Sequence, residues 1–248
     1  LHDAFRDMAV PVMISPGNHD FCSPGSPWLE ETWPKNVHIF TGPLESLVLP
    51  ELDCRVYGAG YRSMDCPALL ENFRVSGEER YHIAVLHGDA TNPTSPCNPI
   101  TAAQVREAGI DYAALGHIHA KGQFDAGAGL CVWPGCPMGR GFDECGQKGV
   151  LKVELEKGHC ETFFVPLDVR KYEIRTVEVK DSPLQAILTA LPEDTSQDCY
   201  RILLTGETDP LDLDGLYRQL APRFFSLSLR DHTHPGKDLW AGAGEDTL

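Results

Sequence analysis

Three short apolar runs in the first two thirds of the chain end abruptly in glycine and histidine. Met8 to Ile14 (MAVPVMI) leads into Ser15-Pro16-Gly17 and then Asn18-His19-Asp20. Ile83 to Leu86 leads into His87-Gly88-Asp89, and Tyr112 to Leu115 into Gly116-His117-Ile118-His119. Runs of this length, bounded by Gly and Pro, predict short buried strands. Their polar ends then sit at the mouth of a sheet, where open α/β sheets commonly bind ligands. After Pro166 the pattern predicts alternating elements: RKYEIRTVEV and CYRILLTGE as strands, SPLQAILTAL as a helix with Ser182 as cap and Pro183 in its first turn, DLDGLYRQLAPRF as a second helix, and FSLSLRD as a last strand. The opening LHDAFRDMAV, apolar at positions 1, 4, 5 and 8, reads as the last turns of an amphipathic helix already under way. The final GEDTL stops in a polar stretch, and both ends predict a piece of a longer chain.

Composition sets wider limits. With 248 residues, 42% hydrophobic and 23% charged, the chain has material for one large domain or two ordinary ones. It contains no apolar run of membrane-spanning length and no secretion signal at its start, so no membrane association and a cytoplasmic location are expected. Nine cysteines, at 22, 54, 66, 97, 131, 136, 145, 160 and 199, make no CxxC pair. They are expected to be reduced structural thiols, with Cys131 and Cys136 half-buried on either side of VWPG. The net charge is −15, and neither half is basic: 12 basic residues oppose 21 acidic ones before Pro166, and 9 oppose 15 from there on. A polyanionic substrate therefore needs local Arg/Lys clusters, bound cations or a partner. Metal ions suit that balance.

Histidine beside glycine at three strand ends is what a metal or catalytic site requires. The glycines let backbone approach closely and leave the imidazoles unobstructed. His117 and His119, two apart, can face one centre or two neighbouring ones. Imidazole nitrogen with amide and carboxylate oxygen suits manganese, iron or zinc rather than calcium, and two such ions about 3.5 to 4 Å apart form a clamp for displacement at phosphorus. Isolated histidines such as His38, His82 and His159 read as surface residues, as do His232 and His234 at a Pro-Gly-terminated strand end. Arg62 and Arg140 lie in Gly-rich loops, where contact with phosphate and simple solvation are equally open.

In order and spacing, GNHD (Gly17 to Asp20), HGD (His87 to Asp89) and GHIH (Gly116 to His119) resemble the calcineurin-like metallophosphoesterases. WPGCP (Trp133 to Pro137), followed by GQKGVLKVEL, is similar to the closing loop and hairpin of that family. The likeness covers roughly residues 1 to 165, and the α/β pattern of residues 166 to 248 is similar to the appended segment of SbcD/YhaO-type DNA repair exonucleases. The resemblance implies a metallophosphoesterase β-sandwich flanked by helices, lacking its first strands, with a smaller α/β capping domain that helps hold DNA. It implies two divalent metal ions, Mn2+ above others: Asn18, His87 and His117 on one, His119 on the other. His19 is implied to stabilise the scissile phosphate or protonate the leaving oxygen, with Asp20 orienting it. The implied partners are DNA, a second copy of the chain, and an SMC-like ATPase subunit (SbcC-like).

The family's opening D-x-H and G-D-x-x-D motifs, which supply further ligands and the bridging aspartate, are absent from this sequence. Each normally ends its own strand-helix unit, so on the order of 60 residues or more are expected upstream. Two other readings stand beside the exonuclease: a phosphoesterase acting on small nucleotides or phosphomonoesters, and a non-catalytic interaction domain or inactive piece of an enzyme. Against the last, a scaffold has no physical need for His19, His87, His117 and His119 together.

Overall fold

The computed structural model describes residues 2–167, 170–180 and 182–235, so the GEDTL end lies outside the described residues. They divide into two compact units, one of residues 2–137 with 149–166 and one of residues 138–148 with the described part of 167–235. Both are α/β, with mixed parallel and antiparallel pairing in the first and few helices overall.

The first unit opens with α1 (His2–Arg6), β1 (Val12–Ile14), α2 (Pro27–Glu30) and β2 (Val37–Ile39); β1 and β2 pair in parallel. The helix expected at the start is a little over one turn and buries no residue. The strand expected from Met8 is only three residues long. Pro11 has no N–H to give a ladder, and the Asn36 amide donates to the carbonyls of Phe5, Met8 and Val10, leaving Met8 and Val10 exposed.

Next come β3 (Glu45–Leu49), β4 (Cys54–Gly58), β5 (Tyr81–His87), α3 (Ala102–Ala108), β6 (Tyr112–Gly116), β7 (Gly122–Asp125) and β8 (Leu130–Trp133). They form a six-stranded sheet of order β3-β4-β5-β6-β8-β7, parallel in its centre and antiparallel at both edges. Two apolar clusters flank the centre, because successive side chains of a strand point to opposite faces. Ala84, Leu86, Ala113 and Leu115 pack with Val105, Ala108 and Ile110 around α3. Ile83 and Val85 face the other way, against Phe40, Val56 and Met13 of β1. Burying a Leu or Ile side chain fully is worth about 1.5–3 kcal/mol, and a register slip of one residue would exchange the two faces. α3 is fixed by a capping box, Thr101 with Gln104, and ends at Gly109 in the left-handed region. The hairpin expected after Trp133–Pro137 is β9 (Gly149–Glu156) with β10 (His159–Pro166), turning at Lys157-Gly158.

The second unit contains β11 (Tyr172–Glu178), α4 (Pro183–Ala190), β12 (Cys199–Glu207), α5 (Leu213–Leu220) and β13 (Ser226–His234). Its three strands are all parallel in the order β11-β12-β13, which requires the two crossover helices that the sequence pattern predicts. Pro183 opens α4 next to Ser182, and the Asp212 carboxylate caps α5 by accepting from Gly215 N–H at 2.8 Å. Ile187, Leu216 and Leu220 bury against Val177, Tyr200, Ile202, Leu204 and Leu227.

Among the described residues no helix is long and apolar enough to cross a membrane. All nine cysteines are free thiols. Cys131 is fully buried, not half-buried as its loop-side position suggested, because it lies on β8 inside the core and pairs with Ala113; burial pushes its thiol up to about 12.

Candidate metal centre

His87 is the last residue of β5 and has the parity of Ile83 and Val85, so its imidazole leaves the sheet on the face that β1 packs against. The loop after β1 comes directly to it. Ser15 Oγ donates to the Val85 carbonyl, the Tyr61 N–H donates to Pro16 C=O at 3.1 Å, and the Cys22 N–H donates to Tyr61 C=O at 2.7 Å. The segment just after β4 thus clamps both ends of the Pro16–Cys22 loop. A Cβ on Gly17 would stand 2.5 Å from the His87 ring, and one on Gly116 3.0 Å from its Nδ1, so glycine on both sides gives the imidazole its slot.

Three donor atoms converge there. Asn18 Oδ1 is 2.9 Å from His87 Nε2, and His117 Nδ1 is 3.3 Å from the same nitrogen. Both are hydrogen bonds here; atoms bound at about 2.1 Å to one ion at tetrahedral or octahedral angles stand about 3.0–3.4 Å from each other, so these two spacings are close to those a shared ion would set. Asn18 is buried at 5% exposure. Burial, and then the neighbouring His117, lower the His87 pKa to about 4, so its ring is neutral and keeps a lone pair at physiological pH. Among the described residues no group of three or more His, Cys, Asp and Glu side chains is arranged to hold an ion; the third donor beside the two imidazoles is the Asn18 amide. His117 has φ 101°, a backbone conformation that costs a non-glycine residue about 1–3 kcal/mol and tends to occur where function fixes a side chain.

The other expected residues lie around this trio. His19 and His119 are near enough for their charge to depress His87 further. The His119 carbonyl accepts from the Cys136 N–H at 3.3 Å, and Gly135, at φ 83°, lets the WPGCP loop approach within the space a Cβ would fill. The Asp20 carboxylate accepts from Gly17 N–H at 2.9 Å, closing the loop on itself, while Trp28 Nε1 donates to Asp20 C=O at 2.6 Å.

Four supporting residues were not singled out by sequence. Asp89 Oδ2 lies 3.9 Å from His117 Nε2; burial acts to raise its pKa, but hydrogen bonds from Thr91 and Asn92 outweigh that and lower it. Asn98, fully buried, donates from Nδ2 to His87 C=O at 2.9 Å and accepts from Leu69 N–H at 2.9 Å. Tyr61 sets its ring edge-on to His87 at 5.2 Å, and its buried hydroxyl has no hydrogen-bond partner among the described residues. Cys97 Sγ accepts from Asn18 Nδ2 at 3.8 Å. Only Asp89 carried a signal, through its place in HGD; an Asn in CNP looks like any turn residue.

Other candidates lie elsewhere. Arg62 donates to Thr41 C=O at 3.1 Å, and Arg140 pairs with the buried Glu144 at 3.3 Å. His232 and His234 are exposed on β13, with His234 3.6 Å from Glu207. His82 corrects its surface reading: five residues before His87, it has the opposite parity, is 8% exposed, and meets the Tyr57 hydroxyl at 3.2 Å.

Imidazole nitrogen and amide oxygen gathered by glycine-flanked loops at strand ends are donor types that first-row divalent ions accept. The chain is 30% identical over 222 residues to YhaO of Bacillus subtilis (strain 168), an uncharacterized metallophosphoesterase. The match takes in 82% of this chain and 53% of that protein, so the chain spans about half the length of this relative. No protein-family model matches. The similarity supports the metallophosphoesterase family and, in general terms, phosphoester hydrolysis with divalent metal ions.

Proposed function

We propose that this chain is the metal-binding part of a DNA exonuclease of the SbcD/YhaO type, acting in DNA repair or recombination. The observation that carries the reading is the convergence of Asn18 Oδ1, at 2.9 Å, and His117 Nδ1, at 3.3 Å, on His87 Nε2. On this reading residues 1–165 are a partial phosphoesterase domain, a β-sandwich flanked by helices, and residues 166–248 a smaller α/β capping domain. Two manganese ions supply electrostatic stabilisation of the phosphoryl oxygens and activation of water. Asn18, His87 and His117 hold one ion and His119 contributes to the other. His19 protonates the leaving oxygen, and Asp20 fixes the loop that carries His19. The protein works in the cytoplasm as a homodimer with an SMC-like ATPase, which supplies the DNA affinity that a chain of net charge −15 lacks.

That same acidity favours a second reading, hydrolysis of small nucleotides or phosphomonoesters. Manganese titration calorimetry on this polypeptide and on an upstream-extended version separates the two, combined with assays on linear duplex DNA and bis-p-nitrophenyl phosphate. The expected result is two ions on the extended protein, loss of one with His87→Ala, and digestion of DNA ends. Two ions with hydrolysis confined to the small ester would establish the second reading. An extended protein that binds no manganese would end both.

A further inference from the structure

Beside Asn18 the chain brings together two thiols that the proposed chemistry does not use. Cys66 follows β4 and Cys97 precedes α3, and their backbones meet in an isolated parallel bridge. The Cys66 N–H donates to Pro96 C=O at 2.9 Å, and the Asn98 N–H donates to Cys66 C=O at 2.7 Å. Residues that face one another across neighbouring strands are about 4.8 Å apart, inside the Cα range of about 4.4–6.8 Å that a disulfide spans. Their side chains leave the ladder on the same side. Burial, and then the neighbouring Cys97, push the Cys66 thiol up to about 11, so Cys66 is held as the protonated thiol. Both residues are half-buried, whereas Cys22, Cys54, Cys131 and Cys199 are shut in the cores.

The Cys97 sulfur is also bonded to the site. It accepts from Asn18 Nδ2 at 3.8 Å and donates to Met64 C=O at 3.6 Å. With the Asn18 amide nitrogen held there, its oxygen is turned to His87. We propose that Cys66 and Cys97 form a redox-sensitive dithiol, a modification site for peroxides, whose closure into a disulfide releases the Asn18 amide. A peroxide oxidises one thiol to a sulfenic acid and leaves as water. The second sulfur then attacks that sulfur, the S–S bond forms, and a second water departs: two thiols and one H2O2 give one disulfide and two H2O. In the disulfide Cys97 has no S–H for Met64, its sulfur is drawn towards Cys66, and Asn18 Nδ2 loses its acceptor. A partly exposed pair between neighbouring strands is readily reduced, so the change is reversible by thiols. The effect on metal binding rests on the role proposed above for Asn18; the dithiol itself does not.

The test treats the 248-residue chain with stoichiometric hydrogen peroxide, caps remaining thiols and maps peptides without reduction. A Cys66–Cys97 cross-link is expected, reversed by dithiothreitol and absent in both Cys66→Ala and Cys97→Ser. Oxidation should also shift the Asn18 side-chain amide resonances in 15N-labelled protein and weaken manganese binding about tenfold. Cross-links among other cysteines, or sulfinic acid at these two, would overturn the dithiol. A Cys66–Cys97 link with unmoved Asn18 resonances would overturn its coupling to the site. Asn18 resonances that move in a chain indifferent to manganese would uphold the dithiol and count against the proposed function instead.

Discussion

A single methyl group at Gly17 tests how closely the Asn18 loop lies on His87. The Cβ of Gly17→Ala would stand 2.5 Å from His87 Cε1 and Nδ1 and 2.9 Å from Cγ, against an ordinary carbon contact of about 3.5–4.0 Å. Ring or loop must therefore move by about 1 Å. The ring has little room, with Gly116 on one side and the Tyr61 ring edge-on at 5.2 Å. Gly17 is not among the positive-φ glycines, so alanine adds no backbone strain and the penalty is one of packing, about 1–3 kcal/mol. Urea unfolding followed by tryptophan fluorescence reads it, since Trp28 is hydrogen-bonded to Asp20 in the same loop. The expected outcome is a lower midpoint at unchanged slope. On the function proposed above, a displacement of this size should cost hydrolysis on the order of 10²-fold. Gly42→Ala is the control: its Cβ meets the Glu45 carboxylate at 3.6 Å, an ordinary contact, and the change should stay within about 0.5 kcal/mol. A Gly17→Ala protein as stable and as active as its parent would refute the close approach on which the site is built.

Two further outcomes follow from single residues. At φ 101°, His117→Gly should be more stable than His117→Ala by about 1 kcal/mol or more, because only glycine adopts that backbone without strain; equal midpoints would show that the conformation is not kept. Burial lowers the pKa of His82 from its ordinary 6.5, with the Asp111 charge opposing. The unfolded chain therefore takes up the proton first as pH falls, so stability is full above about 6.5 and declines below it. His82→Phe should flatten the fall in urea midpoint between pH 7 and 5, leaving the share that His87 contributes by the same burial; an unchanged slope would refute the buried neutral imidazole.

The sequence by itself determined the local pieces. Apolar runs ending in glycine and histidine gave β5 and β6 with His87 and His117 at or just past their ends, and the crossover pattern, with Pro183 in the first turn of its first helix, gave α4 and α5 near their observed positions. These are statements of period and capping, which depend on neighbours within a few residues. It did not determine that Met8–Val10 stays out of the sheet, because the Asn36 amide that holds those carbonyls lies 26 to 28 residues away. Nor did it show that His82, read as a surface residue, is buried on the opposite face of the strand from His87, since which face is core depends on what packs there. Tertiary structure alone decided that Asn18 Oδ1 meets His87 Nε2 across 69 positions, that Tyr61 clamps the same loop, and that Cys66 faces Cys97. Those meetings are set by strand order and register, which arise from burying two faces of one sheet at once, and no local pattern in the chain encodes them.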